Sequence, residues 1–104
     1  MIKFDEFEKV KLKVAEIKTV EDIEGADKLY KMTVDSGEER TIVAGIKSAY
    51  TKEELVGKKI IIVANLEPAK IRGVKSNGML LAASDGEPVL LTVDKPVKNG
   101  SKIS

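Results

Sequence analysis

The sequence contains no cysteine, no histidine and no tryptophan. Without cysteine there is no disulfide framework and no thiolate nucleophile. Without either Cys or His there is no zinc site of the usual donor set, no imidazole base and no Ser-His-Asp triad. No run approaches the ~18 consecutive apolar residues of a membrane helix, and Met1-Ile2-Lys3-Phe4-Asp5 has no apolar leader core. A cytoplasmic, membrane-free protein is expected. What remains for chemistry is carboxylates, lysines, two arginines, two tyrosines and hydroxyls. In so short a chain this set makes a carboxylate-only or lysine-based enzyme, with scattered candidates such as Glu67, the lesser alternative to a binding domain, and neither a cofactor nor a metal is expected.

The chain is 104 residues long, 42% apolar and 34% charged. That length supports one core that buries roughly two thirds of the unfolded chain's surface, and the apolar share is too high for disorder beyond the ends. A single domain over residues 1–104 is expected.

The net charge of +1 argues against a strongly electrostatic nucleic-acid binder, but its distribution does not. Residues 1 to 27 carry five basic and eight acidic side chains, a balance of −3. Lys58 to Lys75 carry five basic and one acidic, a balance of +4, and the two other stretches cancel. A near-neutral total thus hides one acidic end and one basic segment.

Valine and isoleucine number 21 against eight leucines, which favours strands over helices. Val10, Leu12 and Val14 alternate before the phase slips through Ala15 and Ile17, the pattern of a long strand with a bulge that serves two sheets. Tyr30, Met32 and Val34 share a face opposite Leu29, Lys31 and Thr33; with Asp35-Ser36-Gly37-Glu38 as a turn, that strand and Arg40 to Ile46 form a hairpin. Thr51-Lys52-Glu53-Glu54 is a capping box, and Gly57 a stop, for a helix of about two turns. Lys59 to Ala64 reads as a buried strand. A polar loop from Pro68 to Gly78, a strand from Met79 to Ala83, a turn at Asp85-Gly86, a strand from Pro88 to Val93 and a turn at Asn99-Gly100 follow. Phe4 and Phe7 are one helical turn apart, which adds a short N-terminal helix. The order predicts an all-β, five-stranded OB-fold barrel with a short helix between its third and fourth strands and C-terminal extension strands.

The densest chemistry lies between Asn65 and Met79, in the loop with which OB-folds touch nucleic acid. Lys70, Arg72 and Lys75 put three cations within six residues, suited to phosphate. Gly73 and Gly78 permit close backbone approach. Asn65, Ser76 and Asn77 offer donors and acceptors, and Met79 a polarizable surface. Each has a plain alternative. The cations can be a solvated surface, Met79 core, Ser76-Asn77-Gly78 turn chemistry and Asn65 a strand cap.

Val14-Ala15-Glu16-Ile17, Ala26-Asp27-Lys28-Leu29-Tyr30, Ile42-Val43-Ala44-Gly45-Ile46, Asn65-Leu66, Lys70-Ile71-Arg72-Gly73 and Ser76-Asn77-Gly78-Met79-Leu80-Leu81-Ala82 resemble the tRNA-binding domain at the C-terminus of methionyl-tRNA synthetases. Free-standing tRNA-binding proteins and a secretion-chaperone-like protein share that domain. The resemblance implies shape-directed tRNA binding, without catalysis, by a homodimer that assists a methionyl-tRNA synthetase in cis or in trans, with the catalytic part of the synthetase as a further partner. It places Lys70, Arg72 and Lys75 on phosphate, Asn65, Ser76 and Met79 on the nucleotide or backbone surface, and Lys31 as a contributor from the second strand. Alanine at Arg72 or Ser76 is expected to weaken binding without unfolding. The resemblance also implies dimer contacts near Phe4, Phe7, Val89, Leu91 and Val93, the alternative being that these groups only close the barrel. A different class of function, a chaperone-like dimer that binds protein, requires an apolar surface around Ile71, Val74 and Met79 larger than the basic one.

Overall fold

The Val- and Ile-rich segments become strands in the computed structural model, which describes residues 1–104. In chain order the elements are α1 (Phe4–Phe7), β1 (Leu12–Ile23), β2 (Ala26–Asp35), β3 (Glu39–Ala44), α2 (Lys52–Leu55), β4 (Lys59–Val63), β5 (Ala69–Ile71), β6 (Val74–Ser76), β7 (Met79–Leu80), β8 (Ala82–Asp85), β9 (Glu87–Leu90) and β10 (Lys102–Ile103). No helix is long and apolar enough to cross a membrane.

β1 does serve two neighbourhoods. Its first half, Leu12 to Glu16, pairs with β4, its second half with β2, and Leu12 and Lys13 also pair with β10. The phase slip sits slightly later than the alternation places it, as register shifts between Ile17 and Thr19 and between Asp22 and Ile23. A bulge adds local twist, which turns the strand from one partner to the next. Glu16 is the shared residue, opposite Lys59 on β4 and Asp35 on β2.

The main sheet runs β3-β2-β1-β4-β7, with all pairs antiparallel. These are the five strands expected, but no ladder joins β3 to β7, so the barrel is not closed by strand pairing. The two edges meet instead through isolated bonds. Asn77 N–H donates to Thr41 C=O at 2.8 Å, and Val43 N–H donates to Ser76 Oγ at 3.0 Å.

Inside lies one core built from alternate positions: Ala15 and Ile17 of β1, Tyr30, Met32 and Val34 of β2, Ile42 and Ala44 of β3, and Ile60 and Ile62 of β4. Leu55 of α2 plugs the same core and is fully buried. Truncating such a side chain to alanine costs about 2–5 kcal/mol, because the transfer term and the cavity term add. Ile61 and Val63 are buried too, each 7% exposed, which is why residues 60 to 63 read as a continuous apolar run rather than an alternating one.

Three local expectations change. α2 is one turn rather than two, with Thr51 Oγ1 accepting the Glu54 N–H at 3.2 Å and Glu54 accepting the Thr51 N–H at 2.9 Å. The strand expected from Met79 to Ala83 breaks at Leu81 into β7 and β8, and the one from Pro88 to Val93 ends at Leu90 as β9, paired with β8. The third change bears on function: the polar loop from Pro68 to Gly78 is mostly a second hairpin, β5–β6.

Candidate nucleic-acid interface

The β5–β6 hairpin has strands of three residues joined by a two-residue turn, Arg72-Gly73. Both turn residues have positive φ, 51° and 81°, the geometry whose twist matches the flanking strands. Asn, Asp or Gly normally fills the first of these positions. Arg72 is the one non-glycine residue of the chain with positive φ, a conformation that costs a residue with a Cβ about 1–2 kcal/mol.

The period of two sorts the hairpin into faces. Ile71 and Val74 stand opposite each other and pack with Leu29 against the small cluster Ile23, Ala26 and Val43 on the outside of the main sheet. Lys70 and Lys75 are the next opposed pair and face away, both exposed. Like charges directly opposite each other on a ladder repel. Neither lysine, nor Arg72, takes part in any of the ion pairs of the fold, which join Lys18, Lys31, Arg40, Lys47, Lys52 and Lys59 to nearby carboxylates. An apolar underside thus anchors a hairpin whose outer surface carries three cations free of carboxylate partners.

The remaining predicted residues divide between surface and frame. Met79 is 49% exposed, on β7. Lys31 lies opposite Val43, hence on the sheet face that the hairpin covers, and is 4.0 Å from Glu21 across the β1–β2 ladder. Ser76 is not on the surface: it is buried, and its hydroxyl accepts the Val43 N–H while donating to Gly78 C=O at 3.1 Å. Asn65 braces the chain ahead of β1, its Oδ1 accepting the Lys11 N–H at 2.8 Å and its Nδ2 donating to Lys9 C=O at 2.6 Å. Gly78 has φ 119°, and a Cβ there would stand 3.0 Å from the Val63 carbonyl oxygen. Ser76 and Gly78 therefore fix where the hairpin leaves the sheet.

Arg40 escaped notice in the sequence. Its signal was nevertheless present, since Arg40, Ile42 and Ala44 alternate on one face and pair with Val34, Met32 and Tyr30. The arginine occupies an inward position and is only 7% exposed.

At the other end of the molecule, Phe4 and Phe7 are 76% and 44% exposed. With Val10, Leu12 and Ile103 they line a groove of about 340 Å³, rimmed by Lys11, Lys13 and Lys102. Val89 and Leu91 are also exposed and Val93 half-buried, but they lie on or after β9, outside that lining.

Residues 12–102 match the family model described as "Putative tRNA binding domain". The chain is 57% identical over 105 aligned residues to a methionine-tRNA ligase of Caldanaerobacter subterraneus subsp. tengcongensis, an alignment that takes in 99% of this chain and 16% of the ligase. It spans, that is, about a sixth of the relative's length. Among solved structures, a MetRS-related protein of Pyrococcus horikoshii superposes with a TM-score of 0.93 at 43% identity, covering 100% of this chain and 98% of that one. A CsaA chaperone protein of Picrophilus torridus superposes with a TM-score of 0.92 at 35% identity over 100% of both chains. With a family match over nearly the whole sequence and the same all-β architecture in these relatives, the chain belongs to the tRNA-binding domain family.

Proposed function

We propose that this domain binds tRNA without catalysing any reaction, through Lys70, Arg72 and Lys75 on the β5–β6 hairpin, with Met79 and Lys31 extending the contact. The carrying observation is the opposed Lys70–Lys75 pair beside Arg72, all three without a carboxylate partner. A phosphate backbone supplies the missing counter-charge and releases its own counterions on binding. Asn65 and Ser76 act through the fold, as braces, rather than as contacts.

A hairpin with so few cations binds weakly, and a dimer corrects this. Two sites on one particle raise affinity through effective concentration and favour a bent, double-armed shape over a sequence. Phe4 and Phe7, exposed beside the groove of about 340 Å³, are the apolar surface for a second copy, with Val89, Leu91 and Val93 as the further candidates. Attached to or associated with a methionyl-tRNA synthetase, such a dimer holds tRNA near the catalytic part.

The likeness to a CsaA chaperone protein keeps a second reading in view. It requires an apolar surface at the hairpin, yet Ile71 and Val74 face inward and only Met79 is exposed. Three exposed cations thus stand against one exposed apolar side chain, which favours RNA.

The test is a filter-binding titration of bulk tRNA against the wild type and a Lys70→Ala, Arg72→Ala, Lys75→Ala triple variant. Loss of binding with an unchanged fold is expected. Unchanged affinity at low salt would remove the hairpin as the site, and peptide capture that persists at high salt would favour the chaperone reading.

A further inference from the structure

Arg40 carries a charge into the barrel wall, and burying a charge is costly unless every donor is used. Here each of the three guanidinium nitrogens has a partner, and four of the five N–H groups are used. Nε donates to Ser36 Oγ at 2.8 Å, Nη2 pairs with Glu38 Oε1 at 3.0 Å, and Nη1 reaches Ala64 C=O at 2.8 Å and Asn77 C=O at 3.4 Å. The first two partners belong to the β2–β3 turn. The last two are the residues that flank the segment carrying Lys70, Arg72 and Lys75, one just before it and one just after.

One nitrogen therefore ties together the two feet of a loop that departs at the end of β4 and returns at β7. Close by, Asn77 N–H bonds Thr41 C=O and Ser76 Oγ takes the Val43 N–H, so the returning chain is tied to β3 just before it pairs with β4 as β7. Without a β3–β7 ladder, these few bonds are the hydrogen bonds across the open edges of the sheet, beside the core packing of Ile42 and Ala44 with Leu80. The hairpin's inward side supplies only Ile71 and Val74 as packing, too little to fix its angle.

We infer that Arg40 is the positioning residue of the nucleic-acid interface: by bridging Ala64 and Asn77 it holds the hairpin at one angle to the sheet, so that its three cations meet phosphate without further ordering. This rests on the hairpin being the RNA site. The chemistry requires a guanidinium, because an ammonium is a point donor that cannot serve Ser36, Glu38 and two carbonyls in separate directions. Preorganisation of this kind appears in affinity as an ordering cost avoided.

The test compares Arg40→Lys, which keeps the charge, and Arg40→Met, which removes it, by two measurements. The first is amide hydrogen exchange of residues 69–77 relative to β1, made without RNA. The second is bulk tRNA affinity as a function of salt. Exchange is expected to rise in the hairpin while β1 stays protected, and affinity to fall about tenfold in Arg40→Lys with the salt slope of the wild type, since the same phosphates are met. Arg72→Ala serves as the contrast, with a shallower slope. Unchanged exchange in the hairpin of Arg40→Lys would overturn the inference, as would a shallower salt slope in Arg40→Met, which would make Arg40 a direct contact. If the hairpin loosens while tRNA affinity stays put in both Arg40 variants and in the triple hairpin variant, the positioning role stands and the hairpin as RNA site falls.

Discussion

Lys70 and Lys75 face each other across the β5–β6 ladder with no carboxylate paired to either. A ladder of three residues a side gains little from its own hydrogen bonds, and it tolerates this repulsion because Ile71 and Val74 anchor the opposite face. The arrangement trades local stability for a concentrated positive charge.

Replacing Lys75 by Glu converts the opposed pair into an attractive one. The hairpin gains a few tenths of a kcal/mol, while tRNA affinity falls by an order of magnitude or more and the salt slope becomes shallower. Thermal melting and filter binding on the same sample separate the two effects. Affinity equal to the wild type would contradict phosphate contact at this position.

Arg72 pays a conformational cost that glycine would not. Arg72→Gly relieves strain of about 1 kcal/mol at the turn, partly offset by the flexibility that glycine adds to the unfolded chain. The domain should melt at or slightly above the wild-type temperature and bind tRNA more weakly. A variant both less stable and fully competent to bind would show that the turn is structural only.

Ser76→Ala behaves differently from a surface contact. Removing the hydroxyl leaves the Val43 N–H without its acceptor in a buried setting, at a cost of about 1–3 kcal/mol. The urea midpoint should drop, and binding should weaken through the displaced strand, with the salt slope retained. A stable Ser76→Ala protein that loses tRNA binding with a reduced slope would return Ser76 to the interface.

Part of the acid sensitivity of the fold is expected to originate at Asn99, beside the separate contributions of Asp22 and Glu54. Asn99 Nδ2 donates to Glu16 Oε1 at 3.2 Å and to Asp35 Oδ2 at 3.1 Å, and this is the first cause holding both carboxyls below their ordinary values, with Lys18 next for Glu16 and the Gly37 N–H for Asp35. A lowered folded-state pKa contributes stability above the unfolded value that is lost as pH falls through the folded one. The loss begins as pH drops through the ordinary carboxylate values of 4.5 and 3.8 and continues below them. Asn99→Ala should flatten the urea midpoint against pH in that window, and an unaltered profile would assign the acid sensitivity elsewhere.

Phe4 and Phe7 contribute little to the monomer's core because both are largely exposed. Phe4→Ala with Phe7→Ala should halve the mass seen by light scattering and lower melting only by the concentration-dependent contribution of the dimer. A wild type that is already monomeric at the same concentration would dispose of this interface.

Sequence alone determined the chemistry that is missing, the strand content and the basic segment. Composition excludes donors outright, β-branched runs favour the pleat, and charge is counted without geometry. The motifs from Lys70-Ile71-Arg72-Gly73 to Ser76-Asn77-Gly78-Met79 pointed to the family. Tertiary structure decided which of those residues are exposed and which are buried in the frame. A strand of three residues is too short for alternation to reveal, so β5 and β6 read as loop, and the inward turn of Ile71 and Val74 depended on the cluster they meet. Ser76 moved from surface to frame because Val43, 33 residues earlier, presents an N–H to it. Arg40 acquired its place from pairing with Val34 in the β2–β3 register, which sets an arginine among inward positions and brings Ala64 and Asn77 within its reach.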